Sequence, residues 1–431
     1  MKKKYFKKKR KKFKSPWTDS EFLSLRSSVR TLSNKMKLSP FDQTVRLQFF
    51  YLSKKLKRAA KFKRKEYKKN ILLKLSNLSP KESKEFWKIL KSIKGNDDRC
   101  DDESTFDLNL LANHFRTQGE PKAKDKKFET YISSELYNKE ANITSNESDK
   151  AITISEIKEV IKALKNGKSS GPDLICYEII KHSSSIMLKS LAKFFNLILD
   201  TASYPREWNR SFIIPIFKGG DESDPVNYRG ISLMNCLSKI FNSLINRRLI
   251  HIFESKFSLS QFGFRKNSRT SDSLFIVKAL INKYVNNKKQ KLFGCFVDLK
   301  KAFDSVWRLG LLYKIIKNQN VGTKVYGIIK NMYQQTVASV KVNENVSEHV
   351  VIERGVKQGD SLSPTLFNIY INDLPDIFDD SCKPVMLEKL SLNCLMFADD
   401  ILLLSESAEG LQNCLNKLND YCNKWQLSIN I

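Results

Sequence analysis

The segment CLMFADDILLLS, residues 394–405, sets Asp399 and Asp400 side by side between two apolar runs. LNCLMF and ILLLS read as short buried strands, with ADD as the turn joining them. Two-residue hairpin turns favour Asn-Gly or Asp-Gly because they need positive φ. A second aspartate gains nothing sterically and adds like-charge repulsion, so the pair predicts a cationic occupant; the alternative is a polar turn that happens to be acidic. A third carboxylate has the same setting. KLFGCFVDLKKAFDSVW, residues 291–307, reads as a buried strand over Leu292–Val297 that ends at Asp298. Asp304 reads as the cap of the next helix, with Trp307 in its first turn. If the two strand systems are neighbours in one sheet, Asp298, Asp399 and Asp400 converge, and three bare carboxylates push each other's pKa up. Two Mg²⁺ ions cancel that repulsion and take hard oxygen ligands, with Mn²⁺ as the alternative ion. A two-metal carboxylate site, its ions about 3.5–4 Å apart, serves in-line phosphoryl transfer.

Between these strands lies ERGVKQGDSLSPTLFNIYINDL, residues 353–374. Gly355 and Gly359 flank a loop where backbone can approach a ligand closely. Ser363 reads as the cap of a helix with Pro364 at its first position and Phe367, Tyr370, Ile371 and Leu374 on its apolar face. Upstream, TISEIKEVIKAL reads as an amphipathic helix capped by Ser155, NGKSSGPDL as a loop, SLAKFFNLILDTA as a helix and SFIIPIF as a strand. The texture before position 150 differs. From Phe41 to Leu78 no Pro or Gly interrupts the chain, and Val45, Phe49, Leu52, Leu56, Ala59, Tyr67, Ile71 and Leu75 make one apolar seam on a long helix. Its other faces are basic, suited to a phosphate backbone or simply to water. Residues 95–150 are polar and acidic, a linker with one short helix around Leu108–Phe115. Residues 1–14 are a basic run, either a solvated end or a nuclear-localisation or RNA-contacting tail.

The bulk numbers agree with a globular body that seeks polyanions. The 431 residues are 41% hydrophobic, enough for one large body or two domains, and the formal charge is +30. Nucleic acid is the first partner such a charge implies, because each neutralised phosphate releases a counterion. A membrane is not expected: no apolar run approaches the roughly 18–20 residues needed to span one, and no apolar stretch follows the N-terminal charges as a signal peptide would. The eight cysteines are scattered without CxxC or zinc spacing, as ordinary thiols in a reducing, intracellular setting (nucleus or cytoplasm) would be.

FVDLKKAFDSV, GVKQGDSLSP and FADD, in that order, resemble motifs A, B and C of the palm of reverse transcriptases, those of non-LTR (LINE-type) retrotransposons in particular. NGKSSGPDLI, IIPIFKGGDESDPVNYRGISLMN and QFGFRKNSRTSDSL are similar to the family's finger and N-terminal motifs, and PWTD…FWKIL to the linker that precedes the polymerase. The resemblance covers about residues 150–431. It implies an α+β fold: right-hand polymerase fingers and palm with an antiparallel palm sheet. A basic, largely helical extension (1–94) and a polar linker (95–150) would precede the polymerase region (151–431, core about 198–431). It implies RNA-directed DNA synthesis from dNTPs on an RNA template and DNA primer. Asp298, Asp399 and Asp400 match the catalytic metal ligands, and Lys218 and Arg229 the finger cations that hold the triphosphate. Phe303 matches the bulky gate beneath the sugar, its alternative being a core aromatic, and Gln358 the motif-B residue beside nucleotide and template. Gly230 departs from the family's usual proline, which implies a looser finger strand. The chain stops at WQLSINI as the strand after motif C begins, so the family's thumb is expected to be missing, and no endonuclease is evident. The competing expectations are a decayed element that only binds nucleic acid, and an RNA-templated RNA polymerase, which would not need Phe303 as a gate.

Overall fold

The computed structural model describes residues 17–39, 42–77, 89, 107–121, 124–287, 289–317 and 321–430. The basic run 1–14, the FWKIL segment apart from Ile89 and the acidic stretch 95–106 lie outside the described residues. The chain divides into two compact units, Met1–Ser104 and Thr105–Ile431.

Among its described residues the first unit holds two long helices, α1 (Ser20–Leu38) and α2 (Gln43–Ser76). Asp19 caps α1 by accepting from the Phe22 N–H, and Asp42 caps α2 by accepting from Thr44 and Val45. The apolar seam lies where the sequence sets it. Val45, Phe49, Leu52, Leu56, Ala59, Tyr67 and Leu75 are shielded in part and Ile71 is buried, while the residues between them are mostly exposed. Phe22 packs edge-on against Trp17 at 5.2 Å, and Lys63 of α2 pairs with Asp19.

The second unit mixes helix and sheet. Its first elements are α3 (Leu108–Thr117) and α4 (Lys126–Glu140), both inside the stretch that reads as a linker. Polar residues dominate there, yet α3 buries Leu111, Ala112 and Phe115, and α4 buries Ile132 and Leu136. α5 (Ile154–Ala163) starts in a capping box of Thr153 with Glu156; the cap is Thr153, not Ser155, which has already turned helical. α6 (Ser185–Thr201) follows, then strands β1 (Arg210–Phe217) and β2 (Tyr228–Met234), which pair antiparallel. Next come α7 (Cys236–Phe253), α8 (Thr270–Ile281) and β3 (Phe293–Asp298). A single helical turn, α9 (Ala302–Ser305), leads into α10 (Arg308–Lys317) and α11 (Thr323–Met332). β4 (Val337–Val342) then runs parallel to β1, completing a sheet in the order β2-β1-β4 with short strands at its edge. α3 covers this sheet, its Leu111 and Phe115 clustering with Ile213, Ala338 and Val340.

Gly230 was expected to loosen β2. It sits instead in unbroken register opposite Pro215, and a side chain there would meet Ile213 at 2.8 Å and Phe115 at 3.0 Å. The missing side chain is the room that α3 packs into.

Farther along come α12 (Ser363–Ile371), β5 (Cys394–Phe397), β6 (Asp400–Ser405) and α13 (Ala408–Lys424). Ser363 is not the cap of α12: Leu362 holds that position, and the Ser363 hydroxyl donates to the Lys357 carbonyl at 2.8 Å. β3, β6 and β5 form an antiparallel sheet in that order. Alternation along β6 feeds two cores, with Ile401 and Leu403 in the large cluster and Leu402 and Leu404 in a smaller one on the opposite face. None of the described helices is long and apolar enough to cross a membrane. The seven cysteines among the described residues are free thiols.

Candidate active site

Strand register brings the acidic residues together. Asp400, first residue of β6, pairs directly with Asp298, last residue of β3, and opposite residues of an antiparallel pair share a face. Asp399 sits in the turn between β5 and β6, half-buried, while Asp298 and Asp400 are exposed. The turn is left-handed at Ala398, with φ of 60°. A non-glycine residue pays about 1–2 kcal/mol for that conformation, so something must hold it.

Gln261 holds it. Fully buried, its Oε1 accepts from the Ala398 N–H at 3.0 Å and the Gly263 N–H at 2.7 Å, and its Nε2 donates to the Ala398 carbonyl at 3.4 Å. The backbone adds Phe262 N–H to the Met396 carbonyl at 2.9 Å and Met396 N–H to the Ser260 carbonyl at 2.7 Å. The residues Gln261-Phe262-Gly263 thus brace the acidic turn. The sequence signal was present, since QFGFRKN carries a lone glutamine among aromatics, but sequence reasoning assigned it no role. The bracing is tight: a Cβ on Gly263 would lie 2.1 Å from the Ala398 nitrogen. Gly263→Ala should therefore cost about 1–3 kcal/mol of stability, as overpacking does. Gly294→Ala, whose Cβ would approach no atom closer than 3.5 Å, should cost nothing. Denaturant midpoints of the two variants check this, and equal midpoints would remove the brace.

Burial raises the Asp399 carboxyl pKa first, the charges of Asp400 and Asp298 raise it further, and Arg229 opposes them. The Asp298 carboxylate accepts from Asn430 Nδ2 at 3.0 Å, and its carbonyl from the Asn430 N–H at 2.9 Å. Asn430 is a neighbour that sequence reasoning did not single out. Among the described residues no group of three or more His, Cys, Asp or Glu side chains is drawn onto one ion position. What the site offers is adjacent oxygen donors whose mutual repulsion a divalent cation would relieve, a donor set that suits Mg²⁺.

The cations sit on the β1–β2 hairpin. Arg229 pairs with Ile216 across it, and Lys218 lies one residue past the end of β1, its N–H donating to the Asn227 carbonyl at 2.8 Å. Both side chains are exposed. Their fields reach the acidic groups: Arg229 acts on Asp399, and Arg229 with Lys218 acts on Asp304.

Asp304 does not cap a helix. Lys301 takes the left-handed conformation at the helix start, and Asp304 lies inside α9. There its Oδ2 accepts from Gln358 Nε2 at 2.8 Å. Phe303, the preceding residue, stacks on buried Phe367 (centroids 5.1 Å, planes 14° apart) and meets Phe264 edge-on at 5.9 Å. Its ring is partly exposed and packs against the large core.

Comparison with known proteins adds an independent finding. Residues 216–431 match the family model described as reverse transcriptase (RNA-dependent DNA polymerase). The chain is 33% identical over 293 residues to a probable RNA-directed DNA polymerase from transposon BS of Drosophila melanogaster, covering 65% of this chain and 31% of that protein. It is 31% identical over 290 residues to the RNA-directed DNA polymerase from mobile element jockey of the same species, again 65% and 31%. To the retrovirus-related Pol polyprotein from the type-1 retrotransposable element R2 of Nasonia vitripennis it is 28% identical over 268 residues, 62% and 25%. The chain thus spans less than a third of the length of these relatives.

Proposed function

Because the chain belongs to the reverse transcriptase family, on its LINE-type, non-LTR side, we propose that its second unit carries the fingers and palm of an RNA-directed DNA polymerase. The observation that carries this reading is the strand register that sets Asp298 against Asp400 beside the braced Asp399 turn. In this reading the β3-β6-β5 sheet is the palm and the β1–β2 hairpin belongs to the fingers. Asp298, Asp399 and Asp400 would hold two Mg²⁺ ions. When bound, these would balance the charge that gathers on phosphate as a primer 3′-hydroxyl displaces pyrophosphate from a dNTP.

The chain's own groups do the rest. Lys218 and Arg229, two fixed cations on one hairpin, bind the triphosphate. The Phe303 ring, held flat by Phe367, fills the space beneath the sugar and offers a 2′-hydroxyl no hydrogen bond. Gln358 lies against the base pair that forms with the RNA template. Primer extension on an RNA template with Mg²⁺ tests the reading, and an inert wild type with intact fold would refute it.

Template binding falls in part to the first unit. On α2, Lys54, Lys55, Lys57, Arg58, Lys61 and Lys65 are exposed, and Glu66 is the helix's one acid. Replacing those six cations with glutamine should weaken RNA binding with little regard to sequence. It should also flatten the plot of log affinity against log salt by about 0.7–0.9 for each phosphate no longer neutralised. Filter binding across a salt series measures this, and an unchanged slope would show that α2 touches no backbone.

A further inference from the structure

Asp304 is a charged residue that the phosphoryl-transfer chemistry does not use. Its side chain is partly buried at the edge of a cavity, and burial pushes the carboxyl up to about 6 despite the pull of Gln358, Lys301, Arg229 and Lys218. As structural glue it is therefore a poor choice, because an apolar side chain of similar volume would cost less to bury.

Its surroundings are nonetheless built around it. Gly119, at φ +86°, passes so close that a Cβ would lie 2.2 Å from the Asp304 carbonyl oxygen. Gly355, at φ +77°, would place a Cβ 2.8 Å from the Asp304 Cα. The Val356 N–H donates to the Phe303 carbonyl at 2.9 Å, fastening the motif-B loop to α9. Gln358 is held from both ends: Ser232 of β2 donates its N–H to the Gln358 carbonyl at 2.7 Å, and Asp304 takes the side-chain Nε2 at 2.8 Å. The two elements that grip Gln358 are those that bear Arg229 and Phe303.

We propose that Asp304 is a positioning residue for the incoming nucleotide, fixing the Gln358 amide so that the nucleotide meets it in one orientation. An amide free to rotate presents oxygen or nitrogen to a ligand; one held through Nε2 presents its Oε1 and one remaining N–H in fixed directions. The inference rests on the reading of Gln358 as a nucleotide contact and adds the residue that aims it.

The test measures dTTP binding by calorimetry, with Ca²⁺ in place of Mg²⁺, on the full chain bound to an RNA template–DNA primer whose next template base is A. Asp304→Leu removes the acceptor and should weaken dTTP about tenfold, the effect of losing one hydrogen bond to a charged group. Its denaturant midpoint should be unchanged or raised. Asp304→Asn keeps an acceptor oxygen and should bind within about threefold of wild type, as one neutral hydrogen bond replaces a charged one. Gln358→Ala should weaken dTTP comparably, and the double variant Asp304→Leu/Gln358→Ala no more than either alone. Asp304→Ala takes the place of Asp304→Leu should that variant fail to fold. Unchanged dTTP affinity in Asp304→Leu, a loss that adds to that of Gln358→Ala, or a loss matched by a fallen midpoint would overturn the proposal. A wild type that binds dTTP while Gln358→Ala binds equally well would overturn the underlying reading of Gln358 instead.

Discussion

Replacing Asp399 with asparagine should abolish Mg²⁺-dependent primer extension while RNA binding stays within a few-fold of wild type. The side chains are nearly the same size, and what changes is one negative charge beside Asp298 and Asp400. A carboxylate lost from a two-metal clamp removes several kcal/mol of charge stabilisation, which is about a thousandfold or more in rate. In the proposed division of labour RNA binding draws on the exposed Lys and Arg side chains of α2, which the substitution leaves unchanged. Stability should move the other way. The folded-state pKa of Asp399 is raised above 3.8, so without metal its ionisation opposes folding at neutral pH, and that penalty vanishes below pH 3.8 where the group is protonated in both states. The variant should therefore be at least as stable as wild type at pH 7 in EDTA, and the difference should fade in acid. Extension assays run beside filter binding and denaturant titrations separate these effects; equal loss of extension and RNA binding would contradict the division of labour.

Phe303→Val should let ribonucleotides in. The ring is tied to the acidic strand through α9 and lies flat on Phe367, so valine opens space without moving Asp298. A ribose adds one hydroxyl, and an aromatic face occupies its volume and gives it no partner. Burying an unpaired hydroxyl costs about 1–3 kcal/mol before any clash. The variant should gain at least about tenfold in relative efficiency for rNTP over dNTP, about 1.4 kcal/mol, while dNTP insertion falls modestly. Single-nucleotide insertion kinetics with matched rNTP and dNTP pairs measure the ratio. Unchanged discrimination with dNTP insertion intact would make Phe303 a core aromatic, the other role its stack on Phe367 allows.

What was legible in the sequence is what depends on a residue and its immediate neighbours. Asp298 and Asp399 stood out because each follows an apolar run that can only be a buried strand. The seam of α2 was legible because helical periodicity is local, and so was the α3 helix. Asp304 was misread for the same reason: an aspartate before Trp307 fits the grammar of a cap, whereas its actual partner, Gln358, is distant in sequence. The role of Gln261 is written in hydrogen bonds to the backbone of Ala398, which carry no side-chain signature at the receiving end. The burial of α4 escaped notice because its apolar positions are outnumbered by Lys, Glu and Asn, and only the core that receives Ile132 and Leu136 shows they are inward. Gly230 shows the converse, an apparent weakness in a strand that turns out to be the clearance for Phe115.

The most direct measurement presents the full chain with Mg²⁺, a DNA primer on an RNA template and each dNTP in turn, and reads single-nucleotide addition. The predicted result is addition of the dNTP complementary to the next template base, changing when that base is changed, lost in EDTA and absent from Asp399→Asn. Addition that ignores the template base, or that survives in Asp399→Asn, would contradict a templated transfer centre built on Asp298, Asp399 and Asp400.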